Sequence, residues 1–208
     1  MIGIVDYQVG NVGNVVRALS WLKNETVILQ SPQQLSSKID VLVLPGVGAF
    51  RPAVKNLDSK KWKPALRSWA SDNRGLIGIC LGMQLLMDAS LEDGTTEGTG
   101  ILEGIIEPLH LKKYPHIGWN SIIWNSTKGA SGFFRKTIPD GSDFYFVHGY
   151  GLKESEHELS VTTVENITFV SSVIKGNTLG FQFHPERSGR TGLKLLNLAI
   201  KYAGGTIP

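Results

Sequence analysis

The sequence predicts an α/β protein built on an open, mostly parallel sheet, with helices on both faces and an antiparallel or mixed extension in its second half. Three observations carry this reading. The unbroken apolar runs Val41-Leu42-Val43-Leu44 and Leu76-Ile77-Gly78-Ile79 have the pattern of strands buried on both faces. Helical patterns stand between the strands of the first half, the βαβ rhythm of parallel pairing. After about residue 100 the helical signals fade, and strand-like runs follow one another through polar loops.

Taken in order, Ile2–Val5 is a strand, and the following helix carries Val12, Val15, Val16, Leu19 and Leu22 on one face. Glu25–Leu29 is a second strand, and the third, Val41–Leu44, ends at Pro45-Gly46. Helices are expected around Ala53–Leu57 and Trp62–Ala70, before a fourth strand at Leu76–Ile79 and a helix over Leu81–Met87. Further strands are expected at Ile105–Leu109, Ser121–Trp124, Phe144–Val147, Leu159–Val164, Phe169–Ile174 and Leu179–Phe183. Leu193–Tyr202 closes the pattern with a helix. Residues 88–104 form the longest unpatterned stretch, expected as a surface loop beside a site. Without an internal repeat or a low-complexity linker, residues 1–208 are expected to form one domain.

Composition narrows the function classes. Apolar residues make up 41% of the chain, too many for a disordered one. Lys and Arg number 21 against 18 Asp and Glu, and this mild +3 has no stripe behind it. The densest basic cluster, Lys60-Lys61-Trp62-Lys63, stops at Pro64 and reads as a solvated helix start, so no nucleic-acid partner is expected. No apolar run approaches the ~20 residues of a membrane helix, so no membrane partner is expected either. Met1–Asp6 lacks a basic leader and reads directly as a strand. The single cysteine, Cys80, excludes a disulfide framework and a cysteine-ligated zinc site. A cytoplasmic protein needing neither metal nor cofactor is the expectation.

Cys80 itself sits in Gly78-Ile79-Cys80-Leu81-Gly82, between a strand and a helix. Gly-x-nucleophile-x-Gly is the pattern of a sharp elbow that lifts a nucleophile out of the sheet. The helix start then presents backbone N–H groups, Leu81's first among them, to a thiolate or an oxyanion. A buried structural cysteine is the plain alternative. A second element weighs against it: Phe183-His184-Pro185-Glu186 ends a predicted strand. Residues i and i+2 of an extended segment share a side, and proline holds the residue before it extended. Glu186 can therefore orient the His184 imidazole, leaving its other nitrogen to take a thiol proton. The third element, Pro45-Gly46-Val47-Gly48-Ala49-Phe50, also ends a strand. Its Gly-x-Gly can turn N–H groups toward an anion, and it lacks the Lys-Ser/Thr of a phosphate loop. Three special segments at strand ends fit a ligand site at the carboxyl edge of a parallel sheet.

Together these segments resemble the class I, triad-type glutamine amidotransferases. More narrowly, the chain resembles the glutaminase subunits of imidazole glycerol phosphate synthases. That rests on Asp6-Tyr7 with Gly10-Asn11, Pro115-His116-Ile117-Gly118-Trp119-Asn120, Phe146-Val147-His148-Gly149-Tyr150 and Arg187-Ser188-Gly189. The resemblance spans nearly the whole chain. It implies that Cys80 attacks the glutamine amide, that His184 moves the proton, and that Glu186 orients His184. It also implies an oxyanion hole from the N–H of Leu81 and the Val47–Gly48 peptide, with Gly46, Gln84, Glu92, Gly149 and Tyr150 around the glutamine. The implied partner is a (β/α)₈-barrel synthase subunit of a heterodimer, which receives ammonia through a tunnel for histidine biosynthesis. Asn11, Asn14, Arg17, Trp119, Tyr145 and Arg187 are expected to face it.

Departures from the family pattern are Gln8-Val9 in the first loop, Gly13 within a helix, Arg51 after Phe50, and Gly149 where Ser or Thr is usual. They spare the triad but touch the partner face and the glutamine pocket. A paralogous glutaminase serving a nucleotide-sugar or polysaccharide amidotransferase is the alternative reading. A scaffold subunit that merely kept its cysteine is a third.

Overall fold

The computed structural model describes residues 1–206. The first half runs β1 (Ile2–Val5), α1 (Val12–Trp21), β2 (Thr26–Leu29), β3 (Val41–Gly46), α2 (Phe50–Ser59), α3 (Trp62–Ser71), β4 (Gly75–Cys80) and α4 (Leu81–Leu85). Then come β5 (Ala89–Ser90), β6 (Thr96–Glu97), β7 (Ile105–Pro108), β8 (His116–Ser121), β9 (Ile123–Trp124), α5 (Gly129–Arg135), β10 (Asp143–His148) and β11 (Tyr150–Leu152). Strands β12 (Glu158–Val164), β13 (Ile167–Lys175) and β14 (Thr178–Phe181) and helix α6 (Gly189–Ala203) complete it.

A twelve-stranded sheet has the order β2-β1-β3-β4-β14-β13-β11-β7-β5-β6, with β12 pairing β13 and β9. From β2 through β14 every pairing is parallel. Antiparallel pairing begins at β13, so the mixed extension falls in the second half as the sequence predicts. Strands β8 and β10 form a separate antiparallel pair.

The buried strands split their side chains between two cores, as a period of two requires. Ile2, Ile4, Val41, Val43, Ile77 and Ile79 join α1 and α6 on one face. Val5, Leu42, Leu44 and Leu76 join α2 and α3 on the other. An unbroken apolar run is thus two alternating sets, one per layer of helices.

Several boundaries differ from the sequence expectation. The helix expected over Leu81–Met87 ends at Leu85. The strand expected at Ser121–Trp124 is replaced by β8 and the short β9. Along β8 the apolar Ile117 and Trp119 are exposed, 60% and 55%, so no inward apolar alternation marks it. Helix α5, Gly-Ala-Ser-Gly-Phe-Phe-Arg, has no counterpart in the expectation because its two glycines argue for a loop. Tertiary packing overrides them: Phe134 is fully buried and stacks on Trp124 with ring centroids 5.6 Å apart. The 88–104 stretch contains β5 and β6, each two residues long. The last predicted strand pairs only to Phe181, and Gln182–His184 run on past the ladder.

Parallel pairing places the ends of β1, β3, β4 and β14 along one edge of the sheet. That edge carries Tyr7, the Gly46-Val47-Gly48 segment, Cys80 and His184.

Candidate active site

Gly46 pairs with Cys80 in the β3–β4 register, so the glycine loop and the nucleophile candidate leave the sheet side by side. Cys80 adopts φ +54° and ψ −112°, a conformation that L side chains rarely take. This strained turn between β4 and α4 is the elbow expected from the glycine spacing. Glycine is required there by close approach: a Cβ on Gly82 would lie 1.8 Å from the Leu44 carbonyl oxygen. A Cβ on Gly46 would lie 2.7 Å from the Tyr7 hydroxyl and 2.8 Å from the Gly82 nitrogen.

The thiol is nearly buried and donates to the Val147 carbonyl at 3.8 Å. His184 Nδ1 lies 2.8 Å from Glu186 Oε1, and both side chains are almost inaccessible. Burial pulls the His184 imidazole down. Hydrogen bonds to Cys80 and Glu186, reinforced by their charges, outweigh it and hold His184 at about 10. The protonated form of His184 is thus favoured next to a sulfur that has given up its proton. The segment is tied to β10: the His184 N–H donates to Tyr145 O at 2.9 Å. Ser188 Oγ accepts from the Tyr145 N–H at 2.9 Å and donates to the His184 carbonyl at 2.6 Å.

A cleft of about 510 Å³ opens over these groups, lined by both halves of the chain. Cys80, His184, Glu186, Val47, Gly48, Leu81, Gln84, Glu92, Gly149 and Tyr150 all line it, as do Asn11 and Arg187. Gly46, expected around the glutamine, does not line it: it is the buried last residue of β3, paired with Cys80. Gln84 Nε2 donates to Tyr150 O at 3.1 Å and to Gln182 Oε1 at 2.9 Å. Glu92 reaches in from the β5–β6 turn, and its Oε2 accepts the Phe50 N–H at 2.8 Å. A Cβ at Gly149 would sit 2.1 Å from the Tyr114 ring, and Tyr114 also lines the cleft. The glycine at this position therefore leaves room for that ring.

Of the residues expected to face a partner, Asn14, Arg17 and Arg187 line a second, adjoining hollow of about 380 Å³ with the exposed Trp21. Trp119 packs on Tyr145 with centroids 5.9 Å apart, and the Arg187 guanidinium lies 4.6 Å above the Tyr145 ring. These residues form a surface beside the cleft mouth rather than core.

The sequence reading gave no site role to four groups, three of which it named only as parts of motifs. Gln182 is fully buried, and its Nε2 donates to Cys80 Sγ at 3.8 Å. Its place two residues before His184 was the available signal, although Gln182 and Phe183 bend rather than extend the strand. Ser188 follows the Arg187 already singled out. Tyr7 is fully buried, its hydroxyl without a hydrogen-bond partner among the described residues, and its ionisation is pushed up by burial and by the Cys80 charge. His148 Nδ1–H donates to the Tyr150 carbonyl at 2.9 Å, and burial lowers the imidazole to about 4, so its ring is neutral around pH 7.

A thiol at a strained strand–helix turn, beside an imidazole held by a buried carboxylate, can attack a carbonyl carbon and protonate a leaving amine. Comparison with known proteins gives this chemistry a family. Residues 3–201 match the family model "Glutamine amidotransferase class-I". The chain belongs to the class I glutamine amidotransferases.

Within that class, it is 41% identical to the imidazole glycerol phosphate synthase subunit HisH of Exiguobacterium sibiricum, over 94% of this chain and 92% of that one. Against the subunit of the same name from Moorella thermoacetica it is 40% identical, over 94% and 91%. Solved structures agree on the fold. One described as a glutamine amidotransferase matches with a TM-score of 0.76 at 16% identity, covering 98% of both chains. PurLQS from Thermotoga maritima matches with 0.70 at 20% identity, covering 97% of both.

Proposed function

We propose that this chain is the glutaminase subunit of an imidazole glycerol phosphate synthase. It releases ammonia from L-glutamine and passes it to a (β/α)₈-barrel synthase subunit in the cytoplasm, in a heterodimer that serves histidine biosynthesis. The observation that carries the reading is the convergence of Cys80, His184 and Glu186 at one sheet edge, in a chain about 40% identical to curated subunits of that synthase over nearly its full length. Residues 1–208 act as one glutaminase domain in this reading, without metal or cofactor.

In the proposed reaction Cys80 Sγ attacks the side-chain amide carbon of glutamine, and its proton resides on His184. The oxyanion collects the Leu81 N–H and the N–H of the Val47–Gly48 peptide. His184 then protonates the departing nitrogen as the C–N bond breaks, leaving a glutamyl thioester and ammonia. Water attacks the thioester, losing its proton to His184, and glutamate leaves with Cys80 restored. Glu186 holds His184 in the tautomer these steps need. Glu92 receives the α-ammonium of glutamine, while Gln84, Gly149 and Tyr150 enclose its stem and amide.

The partner face is proposed at the β8–β10 pair and the first turns of α1, with Asn11, Asn14, Arg17, Trp119, Tyr145 and Arg187. The exposed apolar Ile117 and Trp119 support this, because such a stripe beside an active-site cleft is a surface that gains from being covered. Reconstitution tests the proposal. The purified chain is expected to co-elute with a phosphate-binding barrel synthase, and glutamate release is expected to rise sharply when that partner and its ligand are added. Equal turnover with and without the barrel contradicts the coupling. Stable pairing with a different ammonia acceptor contradicts the histidine assignment.

A further inference from the structure

Glu92 sits on an exposed turn whose start is tied to β7, the Leu91 N–H donating to the Ile106 carbonyl at 2.9 Å. Leu91, Asp93, Gly94 and Thr95 are exposed, and Asp93 and Gly94 both take positive φ, +54° and +85°. The flanking strands β5 and β6 are two residues each. From its own segment the turn gains the Glu92 N–H donating to Ser90 Oγ at 3.1 Å. These backbone bonds anchor the ends of the turn but not the Glu92 carboxylate, whose place is set from outside the turn.

That support comes from the first turn of α2. Ala49 gives this helix no side-chain cap, and the free Phe50 N–H donates to Glu92 Oε2. The next residue, Arg51, reaches across the turn. Its Nε donates to Thr96 Oγ1 at 3.2 Å, and its Nη2 donates to the Asp93 carbonyl oxygen. One planar guanidinium therefore grips the turn on both sides of Gly94, a geometry that two independent donors could not hold as rigidly. Among the described residues Arg51 makes no ion pair, so its donors serve the neutral acceptors of this loop. Helix α2 also follows directly on Val47-Gly48-Ala49. The grip thus fixes Glu92 relative to the glycine loop and to Cys80.

We infer that Arg51 is a positioning residue that sets affinity for the α-ammonium end of the substrate by holding Glu92 in place. The inference rests on the proposed role of Glu92 above. Arg51 does not line the cleft and touches no reacting atom. Its loss acts on substrates that carry an α-ammonium group and spares reagents that lack one.

The test follows Cys80 alkylation in the full-length chain by two electrophiles: a chloroketone shaped like glutamine, with its α-amino and carboxylate groups, and iodoacetamide, which has neither. Arg51→Ala is expected to raise the half-saturating chloroketone concentration by about tenfold, the scale of one well-placed charged hydrogen bond. Its maximal rate and the iodoacetamide rate stay within about twofold of wild type, inside the scatter expected of a surface substitution. Thr96→Val, which removes only the Nε acceptor, gives a smaller loss of the same kind. Glu92→Gln gives at least the Arg51→Ala loss, and adding Arg51→Ala to it changes nothing further, as expected for residues acting through one contact.

If Glu92→Gln weakens the chloroketone and Arg51→Ala does not, the Arg51 inference is wrong while the role of Glu92 stands. Independent, additive losses also overturn it, as does equal slowing of both electrophiles, which marks a general structural fault. If Glu92→Gln has no effect, the proposed role of Glu92 fails and the inference falls with it.

Discussion

Cys80→Ala is expected to lower glutamine hydrolysis on the order of 10⁴-fold or more, the scale seen when a covalent nucleophile is removed. No other thiol can take over, because Cys80 is the only one in the chain. The loss is chemical rather than structural. The substitution removes one sulfur whose contacts are long: 3.8 Å to the Val147 carbonyl and 3.8 Å from Gln182 Nε2. Alanine also tolerates the positive-φ elbow about as well, or as poorly, as cysteine. Melting temperature and binding to the synthase subunit are therefore expected to stay near wild type. Synthesis from added ammonium salts by the reconstituted complex should survive, since the proposed function places the ammonia-consuming chemistry on the partner. Loss of both activities together would contradict that division of labour.

The second large effect comes from a residue that touches no substrate. Gly82→Ala is expected to destabilise the chain by about 3 kcal/mol or more, at the upper end of overpacking costs. The added Cβ would fall 1.8 Å from the Leu44 carbonyl oxygen and 2.8 Å from the Leu44 carbonyl carbon. Both obstacles are backbone of a central strand, so no rotamer change relieves them. Relief requires α4 to lift away from β3, which displaces Leu81 and widens the elbow beside Cys80. Glutaminase activity should therefore fall even at temperatures where the variant remains folded. Gly132→Ala is the control, because a Cβ there meets nothing within 4 Å in helix α5. Alanine in that helix is expected to stabilise by about 0.5–1 kcal/mol. Denaturant unfolding of the two variants checks both signs.

These two residues show what the sequence could reveal. The elbow was legible because Gly78 and Gly82 bracket the single cysteine at a strand end, and the reason for Gly82 is the close approach just described. The parallel half of the sheet was legible because its strands are buried on both faces and therefore continuously apolar. The spacing of His184 and Glu186 across Pro185 pointed to their pairing, but not through an extended segment. Only His184 is extended, and Pro185–Arg187 close a 3-10 turn, with the Arg187 N–H donating to the His184 carbonyl at 3.0 Å, that brings Glu186 back to the imidazole. Strand β8 was not legible, because its exposed Ile117 and Trp119 reverse the usual apolar-inward pattern. Helix α5 was hidden by two glycines and exists through the burial of Phe134 against Trp124. Gln182 contacts the site from a position that looks like an ordinary strand end, and Tyr7 was visible as part of a motif but without a role. Arg51 stood out only as a departure from the family pattern, and its grip on Asp93 and Thr96 depends on a turn 42 residues further on.

The proposed Cys80 thioester is tested most directly by acid quenching during turnover of isotopically labelled glutamine, in complex with the synthase subunit, followed by peptide mapping. The expected result is one glutamyl label per chain, on the peptide that contains Cys80, and none in Cys80→Ala. Steady glutamate release with no label on the protein, or with the label on another residue, would contradict the account.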